Sequence, residues 1–243
     1  LEVLNQIGVV GGTDKVLEFV GPGAEALSID ERLAVSNMAV EAGSETGIFP
    51  ADEKTAEYLE GRARMPWTAV QSDPDAVYAM ELTIDLDRLD PLMAFPHLPG
   101  NVERVADVVG KKIDQVYIGN CGNGTITDLR QAAEIFRGRQ VHQDCRAIIV
   151  PASVAVYKEA MHEGLIDVFA DAGVLVSTPT CGACFGGGNG VLAAGEAALT
   201  TTNRNFKGRM GSGQAEVHLA NAWVAAAAAV AGEIVNPEEV VGK

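Results

Sequence analysis

Residues 113–136 read IDQVYIGNCGNGTITDLRQAAEIF, and this stretch decides the fold. The apolar run at 113–118 predicts a buried strand, a glycine-rich loop follows it, and 127–136 has the apolar spacing of a helix. The same alternation continues with a strand at 147–150, a helix at 154–172 and a strand at 174–176. Strands that alternate with helices predict βαβ units with right-handed crossovers and a parallel sheet.

Three of the four cysteines lie in glycine-rich loops that follow predicted strands. Cys121 follows the strand at 113–118, and Cys181 and Cys184 follow the strand at 174–176, within STPTCGACFGGGNG. Because ligands of a parallel sheet bind beyond the carboxyl ends of the strands, we expect the three thiols to emerge at one edge of the sheet. Three thiolates, where a structural site uses four, leave one coordination position open.

The CxxC pair of Cys181 and Cys184 is compatible with an iron–sulfur cluster, with half of a zinc site and with a redox dithiol. The surrounding glycines favour the cluster, because they let the backbone approach a bulky inorganic core. A redox pair would instead open a helix in a thioredoxin-like unit. Cys145 begins the apolar run CRAIIVP and is predicted to be a buried thiol that binds no metal.

The chain has 243 residues, of which 47% are hydrophobic, enough for one large or two modest domains. The proline-rich segment DPLMAFPHLPGN argues against regular structure, so we predict domains at 1–95 and 96–243. His97 in this segment is predicted to be a surface or packing residue. The sequence opens with LEVLNQIG, which resembles the end of a helix and has no initial methionine. From this opening we expect the chain to be a fragment or a processed piece of a longer protein.

The net charge of −15 is unfavourable for binding nucleic acid or an anionic membrane surface. Four cysteines are too few for a disulfide framework and suit a reducing compartment, so a cytoplasmic protein is expected. The longest apolar stretch, 220–231, is short and mostly alanine, and no membrane span is predicted.

The segment TTTNRNFKGRMGS, residues 200–212, is predicted to be a loop that concentrates two arginines and two asparagines. Arg204 and Arg209 could be solvated surface charges. We favour a carboxylate clamp, because a guanidinium group binds a carboxylate through two parallel hydrogen bonds and both arginines lie near a predicted metal loop.

Four separated motifs resemble the aconitase family, and most closely the C-terminal part of the large subunit of the 3-isopropylmalate dehydratase and homoaconitase branch. They are GTDKVLEFVGPGAEALSIDERLAVSNMAVEAGSETGIFPADE, IDQVYIGNCGNGTITDLR, TPTCGACFGGGNGVLAAGE and TTTNRNFKGRMGSGQAEVHLANAWVAAAAAVAGEI. The resemblance implies an α/β fold of two aconitase-like domains with mainly parallel sheets. It also implies a hydro-lyase that acts on a hydroxy di- or tricarboxylate such as isopropylmalate or homocitrate, with a role in leucine biosynthesis.

By resemblance, the cofactor is a [4Fe-4S] cluster bound by Cys121, Cys181 and Cys184, with one iron open to substrate. Asn37 and Glu41 match family positions beside the cluster, the glutamate near the open iron. Further contacts to the cluster or to substrate carboxylates are implied for Asn203, Arg204 and Arg209.

The chain departs from the family at GNCGNG, where the family usually has GSCTNG, and at CGACFGG, where it usually has CGPCLGG. These changes keep the thiols but alter hydrogen-bonding groups around them. The resemblance implies two partners, the missing N-terminal region of the large subunit and a small subunit that carries the mobile fourth domain with the serine base. The chain alone is therefore expected to be inactive. The alternatives are a stable inactive fragment, a zinc or dithiol module and a cluster-free RNA-binding form.

Overall fold

The computed structural model describes residues 1–242 and divides into two compact units. One unit is Val10–Leu89, and the other joins Leu1–Val9 to Asp90–Lys243. The sequence predicts a division at 95/96, whereas the structure divides the chain at 89/90 and places the first nine residues in the larger unit. The reason is that helix α1 (Glu2–Ile7) buries Leu4 and contacts a strand that begins at Val102.

The Val10–Leu89 unit has a small parallel sheet and three short helices. Its strands β1 (Val16–Glu18) and β2 (Thr46–Ile48) pair in parallel. Its helices are α2 (Pro22–Ala26), α3 (Ile29–Met38) and α4 (Glu53–Leu59), with 3-10 turns at Ala39–Ala42 and Leu86–Arg88. Helix α3 begins at a capping box in which the Ser28 hydroxyl accepts the Glu31 N–H and the Glu31 carboxylate accepts the Ser28 N–H.

The larger unit is built on a seven-stranded sheet. Its strands are β3 (Leu92–Ala94), β4 (Val102–Arg104), β5 (Gln115–Ile118), β6 (Arg146–Ile149), β7 (Leu175–Val176), β8 (Ala197–Thr200) and β9 (Glu216–Leu219). The order across the sheet is β4-β3-β9-β8-β5-β6-β7. The five strands from β9 to β7 are parallel neighbours, while β3 and β4 form an antiparallel margin. The mainly parallel α/β fold expected from the sequence is confirmed.

The larger unit contains the predicted helices, with one difference, and further helices beyond residue 176. These helices are α5 (Ile126–Phe136), α6 (Val154–His162), α7 (Leu165–Asp171), α8 (Ala222–Ala231) and α9 (Pro237–Val241), with 3-10 turns at Val105–Asp107 and Gly182–Phe185. The predicted helix at 154–172 is two helices, because Gly164 takes a left-handed conformation with φ of 71° that a right-handed α-helix does not contain.

The alanine-rich stretch at 220–231 is a core helix. Helix α8 packs against α5 and β5, and most of its side chains are fully buried because alanine allows close approach of neighbouring elements. Within residues 1–242, no helix is both long and apolar enough to cross a membrane.

Candidate functional site

The two thiol loops emerge at the same edge of the sheet. Strands β5, β6 and β7 are parallel neighbours, so the residues that follow β5 and β7 lie beyond the same edge. Cys121 follows β5, and Cys181 and Cys184 follow β7. Strand β8 is parallel to β5 on its other side, and the loop with Asn203, Arg204 and Arg209 follows it. The topology thus brings the arginine loop to this edge as well.

The thiols of the two loops are close enough to affect each other electrostatically. Burial raises the pKa of Cys184, the positive charge of Arg209 opposes this rise, and the negative charges of Cys121 and Cys181 add to it. Cys121 and Cys181 are exposed, and Cys184 is half-buried. Among the residues that the structure describes, no three His, Cys, Asp or Glu side chains converge as a single metal ion requires. The thiols are therefore neighbours without forming a single-ion site.

Position 119, two residues before Cys121, requires glycine. Gly119 has φ of 107°, and a Cβ atom there would lie 1.9 Å from the carbonyl oxygen of Val150. After β5, the backbone at Gly119 therefore passes directly against the backbone of Val150, the residue that follows β6. The Asn120 side chain then shapes the loop, because its Oδ1 accepts the N–H of Gly122 at 2.7 Å and the N–H of Asn123 at 2.6 Å. Asn120 thus forms hydrogen bonds at the position where the family usually has serine.

The loop of Cys181 and Cys184 lies over the hydroxyl of a buried tyrosine on β5. Tyr117 donates to the carbonyl oxygen of Cys181 at 3.4 Å. A Cβ atom on Gly182, which has φ of 46°, would lie 2.6 Å from the Tyr117 hydroxyl oxygen. Burial, reinforced by the negative charges of Cys184 and Cys181, raises the pKa of Tyr117 to about 12. Tyr117 therefore stays neutral at physiological pH.

Cys145 lies at the opposite edge of the sheet. It precedes β6 at the amino end of that strand, whereas the thiol loops follow carboxyl ends. Its side chain is part of the apolar core, and burial raises the pKa of its thiol to about 11. The prediction that Cys145 is a buried thiol is confirmed.

Asparagines connect the Cys121 loop to the arginine loop. Oδ1 of Asn203 accepts hydrogen bonds from Nδ2 of Asn120 at 3.2 Å and from Nδ2 of Asn123 at 2.9 Å. Nδ2 of Asn123 also donates to the carbonyl oxygen of Thr201 at 2.8 Å. The Thr201 hydroxyl accepts the N–H of Gly119 and donates to the carbonyl oxygen of Asn123. Sequence reasoning missed Asn123, for which the Asn-Gly pair in GNCGNG was the available signal, and Thr201, for which the sequence carried no comparable signal.

Asn123→Ala is expected to lower the free energy of unfolding by about 1 to 2 kcal/mol, because each lost hydrogen bond contributes about 1 kcal/mol and its acceptor is left partly buried. Urea unfolding of the metal-free chain measures this change. Asn189→Ala is the matched control, since Asn189 is an exposed asparagine of the Cys181 loop. An equal cost for both variants would show that Asn123 does not hold the loops together.

Arg209 lies beside the thiol loop. Its Nε donates to the carbonyl oxygen of Cys184 at 2.7 Å, and its positive charge lowers the pKa of Cys184 against the effect of burial. Arg204 and Arg209 are both half-buried. The remaining guanidinium N–H groups of Arg209 are the part of the side chain that a carboxylate clamp would use.

Charge is unevenly distributed among the three loops. Residues 119–124 and 177–190 contain no charged side chain, and residues 201–213 contain Arg204, Lys207 and Arg209 without any acid. The three loops together therefore carry only positive side chains in a chain whose net charge is −15. Such a local reversal of charge attracts anions.

Asn37 and Glu41 belong to the Val10–Leu89 unit. Asn37 is an exposed residue near the end of α3, and Glu41 lies in the following 3-10 turn with only 6% of its surface exposed. The positions of both residues are described within the Val10–Leu89 unit. His97 is half-buried in the segment after β3.

Comparison with known proteins shows the family to which this chain belongs. Residues 1–232 match the model of the aconitase family, described as aconitate hydratase, and the chain belongs to this family. It is 69% identical over 240 residues to 3-isopropylmalate dehydratase large subunit 2 of Rubrobacter xylanophilus. The large subunits of the same enzyme from Acetivibrio thermocellus and Heliobacterium modesticaldum are 51% and 52% identical. Each match covers 99% of this chain but only 57% of the relative, so the chain spans little more than half their length.

Proposed function

We propose that this chain is the cluster-binding part of a hydro-lyase large subunit, which removes water from a hydroxy di- or tricarboxylate such as isopropylmalate or homocitrate and adds it back. The observation that supports the proposal is that two loops with three thiols and a loop with three cationic side chains emerge at one edge of a parallel sheet. Relatives named 3-isopropylmalate dehydratase large subunit support the isopropylmalate branch.

The donor set fits a [4Fe-4S] cluster. Soft thiolates are the ligands of iron–sulfur clusters, and Cys121, Cys181 and Cys184 are accessible thiols on neighbouring loops. When bound, the cluster would supply a Lewis-acidic iron for the substrate hydroxyl and a carboxylate. The Cys121 loop is held by backbone and asparagine hydrogen bonds, and Arg209 adds a charged donor to the loop of Cys181 and Cys184.

The cationic loop is suited to the substrate's carboxylates. A dianionic or trianionic substrate is repelled by the chain as a whole, so local cations are needed to bind it. Arg204 and Arg209 would each offer a planar pair of N–H donors to a carboxylate. The hydrogen bond from Nε of Arg209 to Cys184 fixes the orientation of that guanidinium. Glu41, a buried carboxylate, would accept or return a proton at the departing oxygen, and Asn37 and Asn203 would support the groups around the cluster.

The proposed activity requires parts outside this chain. One part is the remainder of the large subunit, since the curated relatives are longer than this chain. The other is a small subunit with the base that removes the proton from the carbon next to the hydroxyl-bearing carbon. The test is to reassemble the chain with both parts from the Rubrobacter xylanophilus enzyme and assay 2- and 3-isopropylmalate, homocitrate and citrate under anaerobic conditions. We expect turnover of one hydroxy acid by the assembly and none by the chain alone.

Two results would contradict the proposal. One is an assembly that binds iron and sulfide but dehydrates none of the hydroxy acids. The other is a chain that binds one zinc ion, or cycles as a dithiol, and takes up no sulfide. The second result would instead identify a zinc or redox module.

A further inference from the structure

Residues 78–86, YAMELTIDL, have the sequence pattern of a strand but form none in the structure. Tyr78, Met80, Leu82, Ile84 and Leu86 alternate with smaller or polar residues, and this period of two predicts a strand with one apolar face. Within the described chain, residues 78–85 join no strand ladder. Met80 and Leu82 are 55% and 46% exposed.

The sheet of the same unit has only two strands. A sheet of two strands is marginally stable alone, and parallel sheets normally have both faces covered. The pair β1 and β2 is parallel, and Val16 and Ile48 on these strands are 50% and 48% exposed. The Val10–Leu89 unit thus carries a small sheet with apolar side chains exposed on one face.

Residues 78–86 are anchored at both ends to this unit. The Tyr78 hydroxyl donates to one carboxylate oxygen of Glu18, on β1, at 2.6 Å, and the Ser72 hydroxyl donates to the other oxygen at 2.7 Å. At the other end, the Leu86 side chain packs so closely on Gly23 that a Cβ atom there would lie 2.8 Å away. Residues 78–86, called the ridge below, are thus held to the unit at both ends, with Met80 and Leu82 exposed between the two contacts.

We propose that the ridge is a strand of the complete subunit and that its apolar face packs against the part of the large subunit outside this chain. The curated relatives contain such a part, because the match covers only 57% of their length. A permanent intrasubunit contact is favoured over a transient one because the exposed surface is strongly apolar, as obligate interfaces are. The inference rests on membership of the family and is independent of the proposed reaction.

Hydrogen exchange measured by mass spectrometry tests the proposal. The 243-residue chain is compared alone and with the stretch of the Rubrobacter xylanophilus large subunit that it does not cover. We expect amide exchange at 78–86 to slow by about tenfold or more once a strand ladder forms. Amides of β6 serve as the internal control, since that strand is already paired on both sides. If the added stretch is insoluble, the same comparison is made with the two parts fused in one chain.

A pair of variants separates the apolar face from general charge effects. Leu82→Asp lies on the apolar face, and Thr83→Asp adds the same charge to the other face of the ridge. We expect Leu82→Asp to weaken association about 10-fold to 100-fold, as the loss of one buried leucine implies, and Thr83→Asp to change it by less than about threefold. In the fused chain, the readout is the loss of exchange protection at 78–86.

Three outcomes would overturn the proposal. The first is unchanged exchange at 78–86 in the presence of the added stretch. The second is protection produced only by the small subunit, and the third is protection that rises with the concentration of the chain alone, which would indicate a second copy. A failure of hydro-lyase activity with protection intact would contradict the proposed function and leave this inference standing.

Discussion

Replacement of Cys121, Cys181 or Cys184 by serine is expected to leave the anaerobically reconstituted chain with less than about one iron, where the unaltered chain binds about four irons and four sulfides. Serine has nearly the size of cysteine, but its hydroxyl is a hard and weakly acidic donor in place of a soft thiolate. If the proposed three thiolates are the only protein ligands, no spare thiolate compensates for the loss of one. Iron and sulfide determination, with the visible absorption of the cluster, measures the effect.

The matched control is Cys145→Ala. Cys145 lies at the opposite edge of the sheet, and the burial that raises its pKa to about 11 keeps it a neutral thiol. Alanine avoids placing a serine hydroxyl in the apolar core. We expect full iron content in this variant, with a modest cost in stability. A variant at Cys145 that folds but loses its cluster would contradict the ligand assignment, as would a folded Cys121→Ser chain that keeps four irons.

The position of the thiols at one edge of the sheet could be predicted from the sequence, because it follows from local patterns. Apolar runs and helical spacing identify β5, α5, β6 and β7, and the rule that parallel strands share a direction then places Cys121 and Cys181 at one edge. The break at Gly164 was not predicted because apolar spacing continues on both sides of it. Strands β8 and β9 were missed because four residues such as AALT and EVHL carry little signal, and their pairing with β5 and β3 defines them. The prediction that DPLMAFPHLPGN lacks regular structure was wrong for β3, which forms between its prolines by pairing with β4 and β9.

The hydrogen bonds that shape the site could not be predicted. The bonds of Asn123 and Asn203 join residues 80 positions apart, so they depend on how β8 returns beside β5. The hydrogen bond from Arg209 to the Cys184 carbonyl oxygen also joins two separate loops, so it too depends on how the strands pair. Composition did indicate the cationic character of the loop at 201–213, because arginines without nearby acids are visible in the sequence itself.

Replacement of Arg204 or Arg209 by lysine is expected to lower kcat/KM of the reassembled enzyme by about 30-fold to 150-fold, or about 2 to 3 kcal/mol of transition-state stabilisation. Lysine keeps the charge but lacks the planar fork that binds a carboxylate at two points. Lys207→Gln is the control, since it removes an exposed charge from the same loop. We expect less than about a threefold change in that variant, because a solvated charge contributes only long-range attraction.

Arg209 requires a second measurement, because its Nε also donates to the carbonyl oxygen of Cys184. If it acts only by holding the thiol loop, the loss of activity in Arg209→Lys will match the loss of iron, and activity per bound cluster will equal that of the unaltered enzyme. If it also binds a carboxylate, activity per cluster will fall, and KM will rise most for the substrate with the greatest negative charge. Activity per cluster within about twofold of normal in both arginine variants would contradict the carboxylate clamp, because loss of a bidentate charged hydrogen bond costs far more than this.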